Sequence, residues 1–584
     1  MNRYCYLLFL LLFGQACKKE LRPANNIPAT LQTENNKIKA YSQSPGNLMP
    51  LTFPSDFIWG INGHHSQQAA YGGNIDLQLD LIKKLGMSYF RVDVSVDANG
   101  TPALLTWFNE LLSKAASRNI RILPMIYLQG LDTCRSEPAA YACGQAVGKG
   151  FSARFGSQID YYEMGNEQDL PLLLTDAAGN GQDGSLPAHY NQPKFKLLAA
   201  YLKGMGTGIK TNAPAAKTII DNGGWLHYGF FQLLKDNNVP YDIVGLHWYS
   251  EMGLMTNSAT HPNIISILGG FGKPIWITEI DRRNGSYNFN GNHADFQESS
   301  DKATAQGEWL KQYITELDNT TQVKAFFVYE LFDEPALSFN ENMMGMVSWA
   351  TNYSSATWKP AFVSMQYLIE ETRYGYEDYV YGYYQRYNNF IDNNGINYWG
   401  GIFKSGKNKS QLLDAMFYES HTVFVGEMYQ SLLDQPSPNQ TEKESWVTQM
   451  KNGLKREDLI AAFCNNQLFW SLSGSTNQGF VNRIYQKLLN RNPDSDYWLN
   501  RLNSGTSRAY MISEVLRSEE YFQKFIDKEY GVLLNRPADA AGEAAYINSM
   551  VAGSSQQTII KSFMLSDEYW KSCVTDGYTR RNIQ

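Results

Sequence analysis

From Leu51 onward the chain alternates short apolar runs with amphipathic stretches. The runs are "FIWGING" (57–63), "YFRVDVS" (89–95), "RILPMIYL" (121–128), "IDYYEMGN" (159–166), "KTIIDNGG" (217–224), "YDIVGLHWYS" (241–250), "PIWITEID" (274–281) and "KAFFVYELFD" (324–333). Between them lie patterns of helical period, such as "NIDLQLDLIKKLG" and "PALLTWFNELLSKAASRN". A strand that is apolar on both faces must be covered on both, and this happens when helices flank a parallel sheet. Strand and helix units repeating over residues 51–374 predict an α/β chain folded as a (β/α)8 TIM barrel. An open, doubly wound sheet is the structural alternative, but no glycine-rich phosphate loop follows the first run.

The pattern changes near Glu377 and then repeats. Tyr384, Tyr429, Tyr485 and Tyr530 each open a unit, mostly with a Leu-Leu pair, a polar turn and then an aromatic: Trp399, Trp446, Trp498 or Tyr546. Such repetition predicts an all-α region of helical units that bury their apolar faces against neighbours. It divides into a pair over 375–472 and a pair over 473–584. At the other end, Arg3 precedes an apolar run from Tyr4 to Phe13. That run is too short to span a bilayer and suits the core of an export signal over residues 1–17. Residues 18–50 are polar, without a sustained period, and read as a tether.

Composition narrows the chemistry. A net charge of −7 with no basic cluster argues against a nucleic-acid partner. The histidines show neither HExxH nor Cys/His zinc spacing, so no metal and no cofactor are expected. An aromatic content of 14% suits stacking on sugar rings.

In a barrel, reactive side chains come from the C-terminal ends of strands. There the second run carries Arg91 and Asp93, the fourth Asn166 and Glu167, the sixth His247, Trp248 and Tyr249, and the seventh Glu279. Similar dipeptides elsewhere fall in other contexts. Glu110 lies in an amphipathic pattern, Glu341 in a polar loop, and Glu316, in a second Ile-Thr-Glu, in a helical pattern. Glu167 and Glu279, at the ends of opposed strands, could face each other across the barrel mouth. Paired carboxylates are what glycosidic hydrolysis needs, one protonated to assist the leaving oxygen and one ionised.

With Asn166–Glu167 closing the fourth strand and Glu279 the seventh, residues 51–374 resemble a clan A retaining glycoside hydrolase. "FIWGINGHH…LIKKLGMSYFRVDVS" is most similar to family 39-like members. The resemblance implies Glu167 as acid/base, Glu279 as nucleophile and Asn166 as a hydrogen-bond partner of the sugar 2-hydroxyl. It places Arg91 beside Glu279 to keep it ionised, Tyr249 as a donor to Glu279, and His247 and His64 along the same cleft. Trp59, Trp225, Trp248 and Tyr329 are candidates for stacking on sugar. The chain departs from the commonest clan pattern at the eighth strand, where "VYELFDEP" offers Tyr329 and Glu330 instead of a tryptophan.

Two further resemblances complete the expectations. The C-terminal units resemble a secreted helical repeat of unknown function that is itself similar to phycobilisome linker domains. "GQAC" resembles a bacterial lipoprotein cleavage site, which implies a lipidated Cys17 anchored to a bacterial, outer, membrane and facing the periplasm or cell surface. An ordinary secretory signal cut near Ala16 is the alternative. In an oxidising compartment Cys134 and Cys143 could close a short loop. The expected protein is an exported, lipid-anchored glycosidase acting on an oligo- or polysaccharide, with a surface or protein partner left to the repeats. A non-catalytic carbohydrate-binding or surface-scaffold protein is the competing expectation.

Overall fold

The structure, a computed structural model, describes residue 53 and residues 56–583, apart from 66–70, 176–180, 284–301, 318–319, 335–341, 349–356, 388–392, 405–408 and 437. The leader, Cys17 and the tether lie outside the described residues. Eight parallel strands form a closed barrel in chain order: β1 (Ile58–Gly63), β2 (Tyr89–Val94), β3 (Arg121–Ile126), β4 (Tyr161–Met164), β5 (Lys217–Ile220), β6 (Ile243–Tyr249), β7 (Ile275–Asp281) and β8 (Val323–Val328). Closure is by β8 on β1, with Ile58 opposite Ala325 and Ile61 opposite Val328. The main helices between and after the strands are α1 (Ile75–Lys84), α2 (Leu105–Ala116), α3 (Glu137–Phe155), α4 (Gln192–Asn212), α5 (Tyr228–Asp236), α6 (Ile264–Gly269), α7 (Lys302–Leu317) and α8 (Pro360–Tyr387).

Local sequence explains these elements. In α1, Asn74 caps the first turn by accepting from Leu77 N. Ile75, Leu79, Leu81 and Ile82 form the buried stripe, and Lys83 and Lys84 stand at the negative end of the helix dipole. Helices α3 and α4 pack with backbones almost touching. A Cβ on Gly144 would stand 2.1 Å from the Tyr201 carbonyl oxygen, and one on Gly204 would stand 2.0 Å from that of Tyr141.

Inside the barrel, Tyr89, Leu123, Ile219, Ile243, Trp276, Ala325 and Phe327 form an apolar floor. Because side chains alternate faces along a strand, the layer above this floor is two residues further on. Arg91, Glu163 and Asp221 follow Tyr89, Tyr161 and Ile219 in this way, and Asn62 and His247 stand a further step up. A β-bulge alters the phase in β7: Leu246 pairs with Ile277, yet His247 pairs with Glu279. Thr278 is the extra residue, and it turns Glu279 to the inner face that Trp276 occupies below.

The core around the barrel ends along α8 with Met365, Leu368 and Ile369. A second core begins on the same helix with Tyr376, Tyr379, Val380, Tyr383 and Tyr384 and continues through the helical region. In that region Asn490 and Asn535 take left-handed conformations at the ends of the helices Asn477–Leu489 and Glu519–Leu534. The following arginines each grip a glutamate with two nitrogens, Arg491 on Glu520 and Arg536 on Glu568. The last helix, Asp567–Ile583, returns to α8: Trp570 Nε1 donates to Glu371 Oε1 at 2.6 Å, and Arg386 Nη2 donates to Ser572 Oγ at 2.7 Å. The helical units thus close on the helix from which they start.

This sharing of α8 sets an expectation for a shortened chain. Ending at Tyr374 would keep Phe362, Met365, Leu368 and Ile369 on the barrel but remove the Trp570 bond. One such bond contributes about 1 kcal/mol net, which moves the melting midpoint of a domain this size by only a few degrees. We expect a soluble barrel with its midpoint lowered by that much in a thermal melt. Aggregation of the shortened chain would show instead that the two cores fold as one unit.

Cys134 and Cys143 come together as expected but stand as free thiols, their sulfurs 3.4 Å apart. The proposed bridge is therefore an adjacent pair here, not a bond.

Candidate active site

Glu279 is gripped from both sides. Arg91 Nη1 donates to its Oε1 at 2.7 Å, and the Tyr249 hydroxyl donates to its Oε2 at 2.5 Å. Arg91 is itself fixed by every nitrogen: Nε to Glu163, Nη1 also to Asn62 Oδ1 at 2.8 Å, and Nη2 to Asn166 Oδ1 at 2.8 Å. Asn62 in turn donates to the carbonyls of Thr278 and Val328. One guanidinium thereby ties β1, β2, β4 and β7 together beneath the barrel mouth.

Glu167 follows β4 through Gly165, whose φ is 91°, and itself adopts φ 47°. Its backbone N–H donates to Asp221 Oδ1 at 2.6 Å. Nδ1 of His247 lies 2.9 Å from Glu167 Oε1 and 3.3 Å from Glu279 Oε2, so a single imidazole nitrogen touches both acids. The two glutamates and His247 bring atoms to within 4.8 Å of one another. Exposure separates the pair: the side chain of Glu167 is 25% accessible and that of Glu279 only 6%.

Charge acts strongly on Glu279 and His247. Burial alone would raise the Glu279 carboxyl, but His247, Arg91 and the Tyr249 hydroxyl outweigh it and hold the group at about 2. For His247, burial favours the neutral ring, yet Glu279, Asp221 and Glu167 raise it to about 9. His247 is thus an imidazolium at neutral pH, wedged between Glu167 and Glu279. Its folded value lies above the unfolded 6.5, so the stability it contributes is fully present below pH 6.5 and is lost as pH rises through 9. The loss amounts to roughly 3 kcal/mol at 1.36 kcal/mol per unit. Chemical denaturation from pH 6 to 10 should show this decline in the wild type and a flatter curve in His247→Gln. Parallel curves would mean that His247 is neutral in the folded protein.

Several expected residues land elsewhere. Trp59 is buried among Phe53, Phe57 and Phe326 on the outer face of β1. Trp248 is sealed as well, with Nε1 donating to the Gly253 carbonyl at 2.7 Å. Neither can stack on a sugar, because each neighbours an inward-facing residue, Gly60 or His247, and so points to the helices. Trp225 is 44% exposed on the loop after β5, at the mouth. The Tyr329 ring lies against His64 and Tyr249, with centroids 4.9 and 5.9 Å away. Glu330 is fully buried and accepts the Tyr71 hydroxyl at 2.7 Å, so it supports the wall rather than meeting solvent. Burial and the neighbouring Glu334 push its carboxyl well up. His64 faces Glu330 at 3.9 Å and is lowered to about 4, chiefly by burial, so it is neutral at neutral pH.

Asn62, Glu163 and Asp221 were not anticipated. Asp221 was within reach, since it stands at the end of a strand run, "KTIID", as Glu167 and Glu279 do. Glu163 is the one charge within β4 itself. Asn62 carries no signal that separates it from a turn residue.

Comparison with known proteins bears on this site. Residues 194–360 match the family model of a glycosyl hydrolase catalytic core. That segment includes His247, Tyr249 and Glu279. Residues 418–467, 460–525 and 522–573 each match a domain of unknown function (DUF4214). A search of curated protein sequences finds no match. Similar solved structures include a β-glucosidase from Thermotoga maritima in complex with deoxynojirimycin, at 12% identity and TM-score 0.40, covering 55% of this chain and 99% of that one. Virulence factor SghA from Agrobacterium tumefaciens is similar at 14% identity and TM-score 0.39, covering 55% of this chain and 98% of its own.

Proposed function

We propose that the protein is a retaining glycoside hydrolase that cleaves an oligo- or polysaccharide by double displacement. The observation that carries this is the spacing of the two acids. Carboxyl groups about 5–5.5 Å apart leave no room for a water between acid and sugar, whereas inverting enzymes hold theirs roughly 6.5–9.5 Å apart. Here atoms of Glu167 and Glu279 lie within 4.8 Å of each other. Glu279, ionised, attacks the anomeric carbon while Glu167 gives its proton to the departing glycosidic oxygen. Glu167, now a carboxylate, takes a proton from water, and the resulting oxygen nucleophile displaces Glu279 and frees the sugar. Asn166 offers its amide to the 2-hydroxyl, its oxygen being held by Arg91. Trp225 and Tyr329 are the aromatic faces available to sugar rings. The first-strand motif supports a family 39-like member within this reading.

The test is stereochemical. Proton NMR of the first product formed from an aryl glycoside should show the substrate's own anomeric configuration, and a 2-deoxy-2-fluoro glycoside should add its mass to the peptide carrying Glu279. A first product of opposite configuration would overturn the mechanism.

Export and anchoring rest on the leader sequence. Among the described residues no helix is long and apolar enough to cross a membrane. With Cys17 acylated, the chain would fractionate with membranes and incorporate labelled palmitate, and Cys17→Ala should lose both. A wild-type chain that takes up no label would remove the anchor from this reading.

A further inference from the structure

Asp221 stands one residue beyond β5, and its two carboxyl oxygens face Glu167 on one side and Glu163 with His247 on the other. Oδ1 accepts the Glu167 backbone N–H at 2.6 Å. Oδ2 is buried on the other side, together with Oε1 of Glu163 and Nε2 of His247, and among the described residues these three atoms have no hydrogen-bond partner. Glu163, Asp221 and His247 bring atoms to within 4.8 Å of one another, and all three side chains are almost wholly buried.

The first contact answers a problem of backbone conformation. Glu167 has φ 47°, in the left-handed region. For a residue with a Cβ this costs on the order of 1–2 kcal/mol and persists only where surrounding structure enforces it. The Leu170 N–H closes a turn onto the Glu167 carbonyl at 3.1 Å, but nothing in that turn fixes the amide side. Asp221 does, with an ionisable acceptor reaching from the adjacent strand. A Glu167 released to an extended backbone would carry its carboxyl away from His247.

The second relation is one of proximity and charge, with no hydrogen bond between Oδ2 and Nε2. His247 faces Glu167 beyond β4, Glu279 on β7, Glu163 on β4, Asp221 beyond β5 and, across the barrel, Arg91 on β2. Glu163 is committed to Arg91. Among the described residues, Glu163 and Asp221 both present an unbonded oxygen on the Nε2 side, Glu163 being also paired with Arg91. Burial pushes the Asp221 carboxyl up while His247 and Arg91 pull it down, and Nδ1 lies against the two catalytic acids.

We propose that Asp221 is a positioning residue for the acid/base, one oxygen locking the Glu167 backbone and the other keeping His247 doubly protonated. The inference rests on the glycosidase reading for its kinetic consequences and on geometry alone for its effect on His247.

Two variants separate its halves. Asp221→Ala removes the whole carboxyl, while Asp221→Asn keeps an oxygen for the Glu167 N–H and replaces the other oxygen by an amide nitrogen. With a phenyl glycoside, whose leaving group needs a proton, Asp221→Ala should be slowed about 100-fold, within the range for general acid catalysis. With a 2,4-dinitrophenyl glycoside, which departs without one, the loss should be less than about 5-fold. Asp221→Asn should lose less than Asp221→Ala on the phenyl substrate and shift its alkaline limb to lower pH. Equal slowing of both substrates with an unchanged pH profile would indicate a merely structural residue and overturn the proposal. An independent readout uses full-length protein with 13C-labelled histidine, the His247 signal being assigned by its absence in His247→Gln. In Asp221→Asn that signal should titrate at least one pH unit lower than in the wild type, and an unchanged titration refutes the proposal. This readout holds even if the wild type turns over neither glycoside, a result that would instead sink the glycosidase reading.

Discussion

Glu279→Gly should lower kcat for an aryl glycoside by at least about 10⁴-fold, as expected when the nucleophile of a covalent mechanism is removed. Added azide should restore part of the rate and yield a glycosyl azide of inverted configuration. The fold should survive, because Arg91 keeps Glu163, Asn62 and Asn166 as partners when Glu279 goes. The space left by the side chain lies between Arg91, Tyr249 and His247, three donors suited to a small anion. Glu279 is also held at about 2, so it is ionised at neutral pH. Full activity in Glu279→Gly, measured beside a folded control, would remove it from the reaction.

Glu167→Gln should divide substrates by leaving group. A phenyl glycoside should be slowed by about 10³–10⁴-fold, the upper part of the range for general acid–base catalysis. The first step with a 2,4-dinitrophenyl glycoside should proceed at close to the wild-type rate, seen as a burst of dinitrophenolate followed by slow turnover, because glutamine cannot activate the water of the second step. The reason lies in the geometry. Glu167 is the exposed member of the pair, within reach of solvent and of a leaving oxygen, whereas Glu279 is enclosed by its donors. Glutamine retains the backbone N–H bonded to Asp221, so the substitution tests the proton rather than the loop. Equal slowing of both substrates in stopped-flow assays would contradict the assignment of Glu167 as the acid.

The sequence by itself determined the architecture. Each barrel strand is buried on both faces and must be apolar throughout, which makes it visible as a run, and the helices between must be amphipathic. Context also distinguished the acids. Glu110 is on the helix α2, and Glu316 lies on α7, where its carboxylate accepts the Thr256 hydroxyl at 2.8 Å. Of the Asn-Glu dipeptides within the described residues, Asn166–Glu167 follows a strand and Asn109–Glu110 does not, while Glu341 lies outside the described residues. The helical repetition was visible for a similar reason, since units that pack on one another reuse aromatic and, in most units, Leu-Leu positions. Only the tertiary structure decided which way each side chain faces. Trp59 and Trp248 look like sugar platforms in a list of aromatics, but each is one residue out of phase with the barrel interior. Glu279 shows the opposite case. Strict alternation from Trp276 would turn it outward, and the bulge at Thr278 brings it in. A bulge arises from how β6 and β7 pair, so no local pattern announces it. The links from Asp221 to Glu167 and from His247 to both acids likewise join residues far apart in sequence. They exist because closing eight strands brings their ends to one mouth.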